Sequence, residues 1–196
     1  MRRIVFVRHG LTDWNASGRL QGQLDIPLNE AGRRQAEILR DRLAGKAFDG
    51  IYSSPLQRAA ETARIIAGDK AVLEDSRLAE IHHGEWQGRT DQEITAGWPE
   101  LWKNWRSEPL GYQSPGGETP ANLRDRVDSF LKSVSSQLIL CISHGILIRM
   151  VRHLILGTEE RNVAGPANAS IHKFLFQDDD SIDYQVEVIE WPSHAD

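Results

Sequence analysis

Two short apolar runs in this chain each end abruptly in a histidine followed by a glycine. The first, "VFVRHG", ends in His9 and Gly10, and the second, "LILCISHG", ends in His144. Each apolar run has the length of a buried strand. Amphipathic helical patterns lie between them, and strands that alternate with helices indicate an α/β sheet. We therefore expect a three-layer α/β sandwich with a mostly parallel central sheet and helices on both faces.

Helical periodicity is clearest after Thr119, a predicted N-cap, with Pro120 in the first helical position. A second helix is predicted to begin near Asn29, a third at Pro55 after a Ser54 cap, and a fourth over 146–156. The residues expected to face the core are apolar and recur at helical spacing: Leu123, Val127, Phe130, Leu131 and Val134; Ala36, Leu39 and Leu43; Leu56, Ala59, Ala63 and Ile66.

The remaining strand patterns are "DGIYSS" and two alternating segments near the C-terminus, "SIHKFLF" and "YQVEVIEW". An acidic stretch, "QDDDSID", separates the last two. We expect these two strands to form a hairpin at one edge of the sheet.

Composition narrows the class of protein. A length of 196 residues with 40% hydrophobic residues predicts one domain, 1–196, with a sizeable core. A net charge of -5 argues against nucleic acid or an anionic membrane surface as a partner. The single Cys141 excludes an intrachain disulfide, and the apolar run behind Arg2 and Arg3 is too short for a signal peptide. We expect a cytoplasmic protein, and a homodimer is compatible with the sequence.

The His–Gly pair that follows each of two apolar strands gives the first indication of a functional site. Ligands of open α/β sheets bind outside the carboxyl ends of the strands, so His9 and His144 could meet in one crevice. Gly10 would let the chain turn and would allow a close approach of the backbone. The alternative is that these are two unrelated polar strand ends.

Arg58, in "SSPLQRAAETA", lies near the start of a predicted helix, where a cation is unfavourably placed for the helix dipole. An anion held at that end by the guanidinium would explain the position, as with phosphate. The alternative is a surface ion pair with Glu61.

The segment "LAEIHHGEWQG" contains two carboxylates, Glu80 and Glu85, and two histidines, His82 and His83. Metal binding is one interpretation, but the segment lacks an H-E-x-x-H pattern, and adjacent histidines converge poorly on one ion. General acid/base catalysis by one carboxylate is the other.

Together "VRHGLTDWN", "SSPLQRAAETA", "LAEIHHGEWQG", "PGGET" and "ISHG" resemble, in order and spacing, the histidine phosphatase superfamily, specifically its phosphoglycerate mutase-like branch. The resemblance covers roughly residues 3 to 150. It implies that His9 is a nucleophile that forms a phosphohistidine, with a backbone carbonyl fixing its tautomer. Arg8, Arg58 and His144 would bind the phosphoryl oxygens.

By the same resemblance Glu80 is the general acid and base, with Glu85 in reserve. Asn15 would donate a neutral hydrogen bond to the phosphate from the loop after the first strand, and Gln21 and Gly22 would border the substrate. The resemblance implies no metal and no cofactor, because the positive side chains neutralise the phosphoryl charge. His83 is left without a catalytic role.

The segment from about 88 to 115 carries Trp98, Leu101, Trp102 and Trp105 at helical spacing and is predicted to be a small cap. These aromatic side chains either pack on one another or offer one ring to the substrate. Family mutases usually carry longer insertions, so a phosphatase acting on a small phosphate ester is favoured. The alternatives are a cofactor-dependent phosphoglycerate mutase, a non-catalytic phospho-ligand binder and a metal-dependent hydrolase.

Overall fold

A computed structural model describes residues 2–157, 165–177 and 182–188. Its strands are β1 (Arg2–Arg8), β2 (Gly50–Ser53), β3 (Leu73–Glu74), β4 (Leu138–Ser143), β5 (Ile171–Phe176) and β6 (Ile182–Glu187). Its helices are α1 (Asp13–Ala16), α2 (Glu30–Leu43), α3 (Gln57–Ala67), α4 (Asp91–Gly97), α5 (Pro99–Ser107), α6 (Pro120–Ser133) and α7 (Gly145–Leu156). Short 3-10 turns span Ser76–Leu78 and Gly84–Trp86.

The strands form one sheet in the order β3-β2-β4-β1-β5-β6. The pairings β3-β2, β2-β4 and β4-β1 are parallel, whereas β5 runs antiparallel to both β1 and β6. The mostly parallel sheet and the C-terminal edge hairpin are therefore confirmed. The acidic stretch between β5 and β6 lies largely outside the described residues, as do the last residues of the predicted sixth strand.

Helices cover both faces of the sheet because alternate residues of each strand point in opposite directions. On one face Ile4 and Phe6 of β1 pack with residues of α6 and α7. On the other, Val5 and Val7 pack with residues of α2 and α3. The three-layer sandwich is confirmed, and the apolar runs lie at its centre.

Two of the predicted caps are as expected: the side chain of Asn29 accepts from Gly32 N at 2.8 Å and that of Thr119 from Asn122 N at 3.0 Å. The predicted start of α3 is wrong. The helix begins at Gln57 rather than Pro55, and its N-cap is Leu56, which makes no side-chain capping bond. Ser54 is instead buried and contacts His144, so its hydroxyl belongs to the crevice at the strand ends.

Strand β3 was not predicted, because its two residues are exposed and show no apolar pattern. Cys141 is buried as a free thiol in the core. Across the described segments, no helix combines the length and the apolar character that crossing a bilayer requires.

Candidate active site

Two central strands bring the two histidines together at their carboxyl ends. Arg8 and Ser143 are paired as the last residues of β1 and β4, and His9 and His144 follow them directly. The two imidazole rings lie with their centroids 5.1 Å apart and tilted by 56°. The prediction that the strand ends meet in one crevice is therefore confirmed.

Glycine is required at position 10 because the backbone of Gly32 lies very close to it, and not because of a positive φ angle. A Cβ at this position would lie 2.4 Å from the carbonyl oxygen of Gly32 on α2. The chain can therefore leave β1 against the start of α2 only with hydrogen at Gly10.

The ring of His9 is held in one tautomer by its neighbour along the chain. Nδ1 of His9 lies 2.7 Å from the carbonyl oxygen of Gly10, which can only accept, so Nδ1 carries the proton. Nε2 is consequently the nitrogen with a free lone pair. Burial and the charges of Arg58 and Arg8 hold the pKa of His9 well below 6.5, so the imidazole stays neutral.

The two guanidinium groups are anchored by backbone carbonyls. Arg58 donates from Nη1 to Leu24 O at 2.8 Å and from Nη2 to Gly22 O at 2.6 Å, and Arg8 donates from Nη1 to Pro166 O at 2.6 Å. Burial lowers the pKa of Arg58 to about 10, which leaves it charged at neutral pH.

The alternative interpretation of Arg58 as one half of a surface ion pair with Glu61 is wrong. Arg58 is 1% exposed, and Glu61 pairs instead with Arg33 at 2.6 Å. An arginine that is buried at the start of a helix and does not pair with Glu61 is suited to binding an anion.

Three buried nitrogen atoms in this crevice lack a partner among the described residues: Nε of Arg8, Nε of Arg58 and Nδ1 of His144. Ser54 Oγ accepts from Leu56 N at 3.2 Å and lies 2.8 Å from Nε2 of His144. The Ser54 hydroxyl can donate its own proton to Nε2, and in that arrangement neutral His144 carries its proton on Nδ1. Buried unpaired donors are costly, so together these three favour an acceptor-rich ligand such as phosphate.

Burial and the charge of Arg58 also hold the pKa of His144 well below 6.5. His144 is completely buried, and it is not among the residues that line the cavity described next.

A cavity of about 310 Å³ opens onto these groups, and we call it the active-site cavity. Of the predicted site residues it is lined by Arg8, His9, Arg58, Glu80, Asn15, Gln21 and Gly22. Seven of the eight predicted residues therefore line one cavity, and the eighth, His144, lies with its ring 5.1 Å from that of His9.

Glu80 is fixed at the edge of this cavity by backbone donors. Its Oε2 accepts from Ile146 N at 3.1 Å, and its Oε1 accepts from Leu147 N at 3.1 Å and Ile81 N at 3.0 Å. Two of these donors are at the N-terminus of α7. Glu85, the reserve candidate, is exposed and is not among the residues that line the cavity.

A model of the histidine phosphatase superfamily (branch 1) matches residues 4–185 of the chain. The chain belongs to the histidine phosphatase superfamily. It is 37% identical over 165 residues to phosphoserine phosphatase 1 of Hydrogenobacter thermophilus, covering 81% of this chain and 78% of that protein. It is 38% identical over 192 residues to phosphoglycerate mutase-like protein 4 of Arabidopsis thaliana, covering 93% of this chain and 83% of that protein.

Among solved structures, a mycobacterial glucosyl-3-phosphoglycerate phosphatase in complex with VO3 superposes with a TM-score of 0.84 at 31% identity. The superposition covers 96% of this chain and 98% of the mycobacterial chain. Phosphomonoester hydrolysis is the activity that the superfamily and its phosphatase members support.

In this superfamily member Asn15 lies on the short helix α1 rather than in a loop. Its Oδ1 accepts from Thr12 Oγ1 at 3.0 Å and from Asn168 Nδ2 at 3.2 Å. Those bonds orient the amide so that Nδ2, a donor, is the end available to the cavity.

The tryptophans between 88 and 115 pack on one another, and Trp105 also lines the active-site cavity. Trp102 and Trp105 stack with centroids 5.0 Å apart and pack on Trp86 in a buried cluster. Trp105 also lines the active-site cavity, where its ring meets that of His83 edge to face at 5.4 Å. Burial lowers the pKa of His83 to about 3, so this histidine is neutral in the folded protein.

Metal binding has no support from the His82 and His83 segment. Nδ1 of His82 accepts from Gly84 N at 3.1 Å, and His83 faces Trp105. Within the part of the chain that the structure describes, no group of three or more His, Cys, Asp or Glu residues could hold a metal ion.

Sequence reasoning missed several residues of the site. Ser54 fits a helix cap in the sequence, and Asn168 and Pro166 lie after the region that the family motifs cover. Arg19 and Arg149 also line the active-site cavity. The polar "NAS" at 168–170, directly before an apolar strand, was a weak signal for the loop that contacts His9.

Proposed function

We propose that this protein hydrolyses a small-molecule phosphomonoester through a phosphohistidine intermediate on His9, with Glu80 as general acid and base and with no requirement for a metal ion. The observation that best supports this proposal is the environment of the His9 ring. Its Nδ1 proton is held by Gly10 O at 2.7 Å, and its ring borders a cavity that the buried guanidinium groups of Arg8 and Arg58 also line.

In the first step the lone pair on Nε2 of His9 attacks phosphorus, and the bond from phosphorus to the ester oxygen breaks. Because the pKa of His9 is well below 6.5, the nucleophile is unprotonated at neutral pH. The positive charge that develops on the ring is shared with the Gly10 carbonyl through Nδ1–H.

Glu80 is assigned the proton transfers. In its acid form it gives a proton to the departing alkoxide, which leaves as a neutral alcohol. The resulting carboxylate then takes a proton from water as the water oxygen attacks the phosphoryl group and the P–N bond breaks. Inorganic phosphate leaves, and both residues return to their starting states.

Arg8 and Arg58 are assigned to stabilise the negative charge on the transferring phosphoryl group. His144 Nδ1 and Asn15 Nδ2 are assigned to donate neutral hydrogen bonds to it. Fixed guanidinium groups supply the charge stabilisation that a divalent ion gives in other phosphatases. Nε of both arginines and Nδ1 of His144 have no partner among the described residues, so each has a hydrogen bond to offer.

We also propose that the segment from 88 to 115 acts as a cap, because Trp105 and Pro109 line the same cavity as His9. Relatives include a phosphoserine phosphatase and a glucosyl-3-phosphoglycerate phosphatase, which supports a small phosphorylated metabolite as substrate. The free, buried thiol of Cys141 is in keeping with a reducing compartment, and we infer a cytoplasmic location.

The test is a panel of phosphomonoesters assayed for phosphate release with metal-free protein in EDTA. We expect turnover of at least one ester and its loss, by a factor of about a thousand or more, in His9→Ala. Arg64→Gln is a matched control, since Arg64 is exposed and pairs with Glu74 away from the cavity. Full activity of His9→Ala, or activity that requires an added divalent ion, would contradict the proposal.

Phosphoglycerate mutase activity is a second candidate, because relatives named phosphoglycerate mutase-like protein 4 and probable phosphoglycerate mutase align with most of the chain. Both activities use the same phosphorylated histidine and differ in whether water or a bound hydroxyl accepts the phosphoryl group. Coupled assays on 2- and 3-phosphoglycerate separate them: efficient interconversion with little phosphate release would favour the mutase.

A further inference from the structure

A second cavity of about 560 Å³ adjoins the active-site cavity, and the proposed mechanism does not use it. Its walls come from residues 107–110 at the C-terminal end of α5 and directly after it, from the first turns of α6, and from α7. Pro109 and Arg149 line both cavities, so the two meet at these side chains.

Helix α7 runs from one cavity into the other. Gly145 lines the active-site cavity, Arg149 lines both, and His153 lines the second cavity. These positions are four residues apart and therefore share one face of the helix. An α-helix rises about 1.5 Å per residue, so Arg149 and His153 lie about 6 Å and about 12 Å along the axis from Gly145.

The second cavity is locally basic in an acidic protein. Among the described residues its walls contain two arginines, Arg124 and Arg149, one histidine, His153, and one carboxylate, Glu108. The whole chain has a net charge of -5, so this excess is a local feature. Arg124 is exposed on the second turn of α6, where its charge is accessible to a ligand.

We propose that the alcohol portion of the substrate extends along α7 into the second cavity and carries a second anionic group there, bound by Arg124 and His153. This inference rests on the proposed phosphatase function. It narrows the substrate class to phosphomonoesters of extended alcohols that carry a second anionic group. Arg149 marks the point where the substrate passes between the cavities.

The test compares pairs of substrates that differ only in the distal anion. Phosphorylated ω-hydroxy carboxylic acids of three, six and nine carbons are matched with n-alkyl phosphates of equal length, and kcat/KM is measured by phosphate release. We expect the acid to be favoured by about tenfold at the best length. The double variant Arg124→Gln, His153→Gln should reduce that ratio about three- to tenfold, mainly through KM.

Arg64→Gln removes one exposed arginine elsewhere and should leave the ratio as in the wild type. A wild-type enzyme that hydrolyses both series with equal kcat/KM would overturn the second anion site and leave the phosphatase function standing. A preference that survives in the double variant would also overturn it. Failure to hydrolyse either series, by protein that turns over another ester of the phosphomonoester panel, would overturn the second anion site alone. Failure on every phosphomonoester tested would contradict the proposed function itself.

Discussion

Asn168 donates from Nδ2 to the carbonyl oxygen of His9 at 3.1 Å, across 159 positions of sequence. The same amide donates to Oδ1 of Asn15 at 3.2 Å. One side chain therefore fixes both the backbone of the proposed nucleophile and the orientation of a proposed phosphate donor. The loop before β5 is thus part of the site, although it lies far from the first strand in sequence.

Replacing Asn168 by alanine should lower kcat about tenfold and change KM less, because His9 and Asn15 lose alignment while Arg8 and Arg58 still bind phosphate. Loss of these bonds should also lower the free energy of unfolding by about 1 to 2 kcal/mol. Steady-state kinetics and urea denaturation measure both effects. Asn122→Ala, at an exposed asparagine on α6, is the control. If the kcat of Asn168→Ala equalled that of Asn122→Ala, Asn168 would not act as a positioning residue.

Ser54→Ala tests the tautomer assigned to His144. The substitution deprives both Nε2 of His144 and N–H of Leu56 of a partner, so the Nδ1 proton is no longer fixed and kcat should fall about three- to thirtyfold. Ser53→Ala is a matched control, because Ser53 is equally buried but donates only to Ser54 O at 2.9 Å. Equal losses of kcat in the two variants would indicate a general packing effect.

The contrast between Ser54 and Arg58 shows what the sequence could predict. Apolar runs and helical periodicity follow from burial alone, so the sheet, its covering helices and the meeting of His9 with His144 were predictable. Arg58 had two consistent interpretations, and burial decided between them. Ser54 was misassigned because a serine before a proline fits a helix cap equally well. Asn168 was missed because a polar loop residue has no periodic pattern to reveal its contacts.

Buried histidines should make the protein less stable as the pH falls. Burial lowers the pKa of His83 and of His172 to about 3, whereas both titrate near 6.5 in the unfolded chain. Between pH 6.5 and about 3 the unfolded state binds more protons, so the unfolding free energy decreases with decreasing pH. Each such histidine contributes up to about 1.4 kcal/mol per pH unit.

His172→Gln should reduce that pH dependence, since it removes one of these groups at a position held by Ser170 and Tyr184. Urea denaturation at pH 7.5, 6.5 and 5.5 measures the slope for both proteins. The absolute stability of the variant is not the test, because its hydrogen bonds also change. An unchanged slope would show that His172 titrates alike in the folded and unfolded chain.

Gly10→Ala should destabilise the fold by about 1 to 3 kcal/mol, because the added Cβ would lie 2.4 Å from Gly32 O and neither backbone can yield freely. Gly97→Ala is the control, since a Cβ there meets nothing within 4 Å. Alanine in that helical position should be neutral or stabilising by up to about 1 kcal/mol. Equal stability of the two variants in urea would contradict the close approach between Gly10 and Gly32.

The most direct test of the proposed chemistry is to trap the phosphoenzyme. The protein is mixed with a substrate of the panel, quenched in base within the first turnover and digested, and the peptide that contains His9 is analysed by mass spectrometry. We predict one added phosphoryl group on His9 that is stable in base and lost in acid, and none in His9→Gln. Rapid turnover with no phosphoryl group on His9, or with the group on another residue, would contradict the assignment of His9 as the nucleophile.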